Sequence, residues 1–173
     1  MLPIEDGYYL QKMSLTRTLR DYTFGELERM YCIMNLDPQW IVGFVDGEGW
    51  FYVGINPQSS MRLGFQILPE FTVVQHRRDV QLLHALKAYF GCGVVRSNHG
   101  DRLGYRVRGH NNLLTRILPF FEKHHLKSIR RRVAFERFRS IVLMMERGDH
   151  LTPEGMNKIR IIAATINPKN DLQ

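Results

Sequence analysis

Two carboxylates stand either side of a glycine in the run Asp46-Gly47-Glu48-Gly49, directly after the apolar segment Trp40 to Val45. Read as a helix, that segment leaves both acids at its C-terminal end, where the helix dipole disfavours them. A hard divalent cation would relieve the conflict. Mg²⁺ is commonly held by one or two carboxylates, with water and substrate phosphate filling the other positions. The residues alone leave a second reading open, in which both acids merely close a helix in solvent. Other metal chemistry is poorly supported. His76, His84, His99, His110, His124, His125 and His150 lack zinc-ligand spacing, and Cys32 and Cys92 are too few for a disulfide framework.

The elements that must position these acids can be read outward from them. Asp37 is a candidate N-cap and Pro38 sits at the first helical position, where a missing N–H costs nothing. Trp40, Ile41, Val42, Phe44 and Val45 make the helix apolar nearly all round, which predicts burial. Gly43 and Gly47 lie four apart on one face. A glycine inside a helix costs about 1 kcal/mol relative to alanine, so Gly43 needs a compensating reason, and close approach of a second helix would supply one. Beyond the acids, Trp50 to Ile55 reads as an aromatic and β-branched strand.

The nine residues Ile41 to Gly49, IVGFVDGEG, resemble the motif of the LAGLIDADG homing endonucleases. Glu48 stands where the family more often has its second Asp. The likeness runs from about Asp37 to Asn167, with 1–36 left as an arm and 168–173 as a tail. It implies an α+β fold, an αββαββα core with an antiparallel, saddle-shaped sheet. A single motif implies a homodimer, its two motif helices packed through Ile41, Gly43, Phe44 and Gly47. It also implies Glu48 as metal ligand, helped by the Gly47 carbonyl, while Asp46 holds the motif end. Gln75, in the run Pro69-Glu70-Phe71-Thr72-Val73-Val74-Gln75, matches the family residue that orders water near the metal. Some relatives carry an Arg four residues later, where this chain has Asp79. For the family's late basic residue, Lys127 and Arg130 are both candidates.

The activity implied is Mg²⁺-dependent hydrolysis of both strands of a long pseudo-palindromic DNA target, promoting intron homing. Mn²⁺ would serve in place of Mg²⁺, and Ca²⁺ would allow binding without cleavage. An intron-RNA maturase, or a regulator that binds DNA without cutting it, is the alternative on the same scaffold. An organelle or a bacterial cytoplasm is the implied setting.

Composition agrees with a polyanionic partner. The 173 residues carry 24 Lys and Arg against 17 acids, a net charge of +7 and a pI near 9.7. An apolar content of 44% argues against a disordered chain. No run is apolar for long enough to span a bilayer, and the N-terminus lacks a secretory pattern.

The remaining elements follow in order. Thr23-Phe24-Gly25-Glu26 has capping-box spacing, predicting a short helix over Phe24–Met34. A strand over Trp50–Asn56 is followed by one over Arg62–Gln75, with Pro69 expected to mark a bend or an unpaired position. Asp79 is placed to cap a helix that Gly91 ends. A hairpin runs Val94–Asn98 and Leu103–Arg108. Three helices follow: Asn111–Phe121, kinked at Pro119; Ser128–Arg147, with Ile129, Val133, Phe138, Ile141, Val142 and Met145 inward; and one from Pro153 to Ile166.

Alternation in the strands puts Phe51, Val53, Ile55, Phe65, Ile67, Phe71 and Val73 in the core. It puts Trp50, Tyr52, Asn56, Arg62, Gln66, Glu70 and Thr72 on the opposite face, with Arg96, Asn98, Arg106 and Arg108 of the hairpin. Given the resemblance, that face is the DNA reader, since Arg, Asn and Gln pair with guanine and adenine edges. Arg77 and Arg78 are placed to contact phosphate. Trp50 and Tyr52 either pack beneath a second subunit or touch the DNA backbone.

Overall fold

The computed structural model describes residues 35–166. The arm helix expected over Phe24–Met34 and the tail 168–173 lie outside these residues. The described chain opens with helix α1 (Pro38–Glu48), whose first turn is closed by the Asp37 carboxylate accepting from the Gln39 and Trp40 N–H groups. Then come β1 (Gly49–Pro57), β2 (Phe65–His76), α2 (Val80–Phe90), β3 (Val94–Ser97) and β4 (Arg102–Val107). A helical run, α3, has three parts: His110–Asn112, a π-helical turn Leu113–Ile117, and Leu118–Lys123. The fold ends with α4 (Ile129–Glu146) and α5 (Pro153–Ile166). The expected αββαββα order with two further helices is therefore the observed one.

All neighbouring strands are antiparallel, in the order β1-β2-β4-β3. The helices cover one face. Phe51 on β1 meets Phe121, Phe135 and Phe138 from α3 and α4 at ring separations of 5.3–5.6 Å, and Phe71 on β2 meets Phe90 of α2 at 6.3 Å. These rings are buried, and each buried aromatic of this kind contributes about 1.5–3 kcal/mol by removal from water. The other face keeps Trp50, Tyr52 and Asn56 exposed.

Several expectations are revised. Arg62 does not lie on a strand: residues 58–64 form the β1–β2 turn, closed by hydrogen bonds from Gln58 N–H to Gly64 O and from Gly64 N–H to Met61 O. Of the two roles expected for Pro69 the structure gives it the unpaired position, on one side of an uninterrupted β2. Pro69 pairs with Val53 on the other side, while β4 begins to pair with β2 only at Phe71, so the missing donor falls where no second neighbour needs it. Asp79 makes no side-chain cap. His76 takes that place one turn earlier, its Nδ1 accepting from Arg78 N–H at 3.1 Å. At the other end of α2, Gly91 has φ +63°, as a left-handed stop requires. The π turn in α3, with Leu118 N–H reaching back to Leu113 O, precedes Pro119, which cannot donate to an ordinary ladder.

Ile129 and Val133 are exposed; Phe135 and Met144 fill the core positions instead, and Met145 is only partly buried. Helix α1 is not buried all round. Ile41, Val42 and Val45 are buried, whereas Trp40, Gly43 and Gly47 are exposed and Phe44 is half-buried. At about 100° per residue these positions form opposite stripes.

Candidate nucleic-acid interface and active site

The end of α1 gathers groups from three parts of the chain. Glu48 is exposed there. Asp46 turns the other way, and its carboxylate accepts from the backbone N–H of Lys127 at 2.7 Å and of Ser128 at 3.2 Å. These are orphan donors at the N-terminus of α4, whose N-cap residue Ser128 makes no side-chain cap of its own. An acid badly placed for its own helix dipole is thus well placed for another's. Asp46→Ala is expected to lower stability by about 1–3 kcal/mol, since a charged acceptor is lost to two backbone donors. The midpoint of urea unfolding measures this, and an unchanged midpoint would exclude the capping role.

Arg131, absent from the expected set, reaches the same place. Its Nε donates to the Asp46 carbonyl at 3.2 Å and its Nη2 to the Gly47 carbonyl at 3.4 Å. The guanidinium lies over the Trp50 ring, 5.1 Å from its centroid. Burial and then Arg130 push its pKa down, while Asp46 and Glu48 push it up. A guanidinium keeps its charge under such pressure. A sequence signal for it exists: Arg131 lies four residues before the buried Phe135, on the inward stripe of α4. Lys127 and Arg130, the two residues expected in this role, are both exposed. Lys127 is held beside the motif by its backbone, whereas Arg130 has no hydrogen bond to the motif residues.

Gln75 is half-buried near the end of β2, and its Oε1 accepts from the His76 N–H at 2.9 Å. Val73, two residues before Gln75, pairs with Gly49, the first residue of β1 after α1. Lys127, through its backbone, and Arg131 converge on the end of α1 that carries Glu48.

The oxygens here, the Glu48 carboxylate and the Gly47 carbonyl, suit a hard cation in kind. Among the described residues no group of three or more His, Cys, Asp or Glu gathers as a metal cage. A cation held by Glu48 and the Gly47 carbonyl would have its remaining positions completed by water, phosphate or a second chain.

The bare face of the sheet carries two rows. One runs Trp50–Thr72–Arg106–Val94 and the next starts Tyr52–Glu70. Asn56 lies opposite Gln66 further along, and Arg96 opposite Gly104. Arg102, paired with His76, shares this face by alternation and was not anticipated from the sequence. Not all of these side chains are free. Arg106 Nη2 donates to Asn98 Oδ1 at 3.1 Å. Glu70 receives the Thr72 hydroxyl at 2.7 Å and the Arg108 Nε. Arg77 and Arg78 are exposed beyond the strand, and Arg77 has only a solvent-exposed partner in Asp101 at 3.7 Å, a pair worth at most about 1 kcal/mol.

Beside the acids, the outer stripe of α1 offers Trp40 stacked on Phe44, ring centroids 4.8 Å apart. A Cβ added at Gly43 or Gly47 would meet nothing within 4 Å. Packing among the described residues therefore does not require either glycine. Ile41, expected on this stripe, is fully buried in the chain's own core instead.

Comparison with known proteins bears on this arrangement. The family model described as LAGLIDADG endonuclease matches residues 41–142. The crystal structure of the homing endonuclease I-TnaI is 54% identical, with a TM-score of 0.75 over 79% of this chain and 92% of that one. The structure of I-SmaMI bound to uncleaved DNA target in the presence of calcium ions is 34% identical, with a TM-score of 0.74 over 79% of this chain and 48% of that one. An uncharacterised 50.9 kDa protein in ND4 intron 1 of Podospora anserina is 30% identical over 84% of this chain. The chain spans less than a third of that protein and of two intron-encoded endonucleases of Neurospora crassa that it also matches. With the motif, the fold and more than half of the chain matched, this chain belongs to the LAGLIDADG endonuclease family.

Proposed function

We propose that this chain is a site-specific, divalent-metal-dependent DNA endonuclease that acts as a homodimer and promotes intron homing. The observation that carries the reading is the exposed Glu48 at the end of a helix whose glycine stripe lies open, beside a sheet face bearing Arg96, Arg102 and Arg106. Pairing α1 with its copy through Gly43, Phe44 and Gly47 would bring two Glu48 carboxylates together at the dyad. The two sheets would then extend to either side, each along one half-site in the major groove.

Glu48 and the Gly47 carbonyl would hold Mg²⁺, which would lower the pKa of a bound water and stabilise the leaving oxygen. The chain's own groups do the rest. Gln75 orients water from the end of β2, Lys127 offers an exposed ammonium, and Arg131 balances the negative charge of the motif end. The bare sheet face supplies base contacts, while Arg77 and Arg78 hold phosphate. DNA-bound I-SmaMI and I-LtrWI share this fold and support a duplex partner. A relative that lies in an intron of Podospora anserina supports the link to introns on which the homing reading rests. Among the described residues no helix is long and apolar enough to cross a membrane. The exposed acid at the motif end favours cleavage over a purely RNA-binding maturase or a non-cutting regulator.

The test works whatever the target sequence is. Duplexes selected by the protein from a randomised library in Ca²⁺ are transferred to Mg²⁺ and their ends mapped. The expected outcome is a staggered double-strand cut at the centre of a pseudo-palindrome, with short 3′ overhangs. Selected duplexes that stay intact in Mg²⁺ and Mn²⁺ would overturn the enzymatic reading.

A further inference from the structure

An acid on a face that meets a polyanion needs a reason, and Glu70 sits in the middle of this one. It lies opposite Tyr52 on β1, and the β2–β4 register, continued one residue past Phe71–Val107, sets it opposite Arg108. Its side chain is only 13% exposed, whereas that of Arg108 is 62% exposed. Both carboxylate oxygens are engaged. Oε1 accepts from the Thr72 hydroxyl at 2.7 Å, and Oε2 accepts from Arg108 Nε. Thr72 is itself buried, so its hydroxyl is a fixed donor that sets the plane of the carboxylate. On the other side, Asn112 Nδ2 approaches the Arg108 carbonyl at 3.5 Å.

The choice of nitrogen decides what Arg108 can do. A guanidinium has five N–H donors in a rigid plane. With Nε committed to Glu70, the terminal pair Nη1 and Nη2 remains, and that fork matches the O6 and N7 acceptors of guanine. Arg108 lines a cavity of about 320 Å³ together with Gly93, Val94, Arg96, Arg106 and Asn112. A carboxylate behind the guanidinium makes this spot less attractive to phosphate and leaves its attraction for a neutral base edge largely intact. The arrangement thus trades general affinity for orientation.

Resting on the DNA-binding reading above, we propose that Glu70, locked by Thr72, is a positioning residue that aims Arg108 at a single guanine in each half-site. Selection from a randomised duplex library, in Ca²⁺, by wild type, Glu70→Ala, Arg108→Ala and the double variant tests it. Arg108→Ala should cut the preference for guanine at one position about 10-fold or more. Glu70→Ala should cut it at the same position, and the double variant should look like Arg108→Ala alone, since Glu70 acts through the arginine. Glu70→Ala should also bind unselected DNA more tightly than wild type. Three results would overturn the proposal: Glu70→Ala keeping the guanine preference, Glu70→Ala blurring every position equally, or Arg108→Ala changing none. If wild type selects no sequence at all, the DNA-binding reading fails before any variant is compared.

Discussion

Glu48→Gln should bind its duplex as tightly as wild type, or slightly more tightly, and cut it at least about 10³-fold more slowly. The substitution keeps size and shape and removes the charge that would hold the metal. Metal-assisted hydrolysis draws several kcal/mol of transition-state stabilisation from that cation, at about 1.4 kcal/mol per tenfold in rate. Binding rests on the sheet face and on arginines outside the motif, and loses a negative charge facing phosphate. Glu48 is exposed and makes no hydrogen bond that folding depends on, so the variant should unfold at the wild-type midpoint. Cleavage assays in Mg²⁺ and gel shifts in Ca²⁺ on one duplex measure both effects. Wild-type cutting by Glu48→Gln would remove Glu48 from the site.

Gly43→Leu should separate folding from assembly. A side chain at this position meets nothing among the described residues, so their fold should tolerate it. An exposed glycine replaced by a good helix former even gains up to about 1 kcal/mol of helix propensity. Between two copies the same side chain would wedge apart helices whose closest approach depends on bare backbone. Sedimentation should find a dimer for wild type and a monomer for Gly43→Leu, with an equal or higher unfolding midpoint for the variant at low concentration. A dimeric Gly43→Leu, or a monomeric wild type, would contradict helix pairing through this stripe.

Legibility in the sequence followed the length scale of each interaction. Strand faces were readable because side chains alternate with period two, and Phe51, Phe71 and Tyr105 are buried as that period requires. The N-cap at Asp37 and the stop at Gly91 were readable because each acts on its immediate neighbours. Contacts between distant segments were not. Asp46 bonds backbone donors 81 and 82 residues away, and nothing local to either partner announces it. Arg131 was hidden inside the run Lys127 to Arg132, where charge alone does not distinguish its members and only the helical phase relative to Phe135 does. The same limit applies to Glu70 and Thr72. Both were placed on the correct face, but the pairing of the Glu70 carboxylate with Arg108 depends on register across two strands. The apolar content of α1 was legible, while its division into a buried and an open stripe depends on what the rest of the fold covers.

The central claim is that two copies each contribute one Glu48 and so cut one strand each. Mixing wild type with Glu48→Gln in varying ratio, on a selected duplex labelled on both strands, tests it most directly. Dimers carrying one intact acid should nick a single strand, so nicked product should appear only in mixtures and peak near equal amounts. Double-strand cuts should fall roughly as the square of the wild-type fraction. Double-strand cutting that falls in simple proportion to wild type, with no nicked product at any ratio, would mean that one chain cuts alone and would contradict the account.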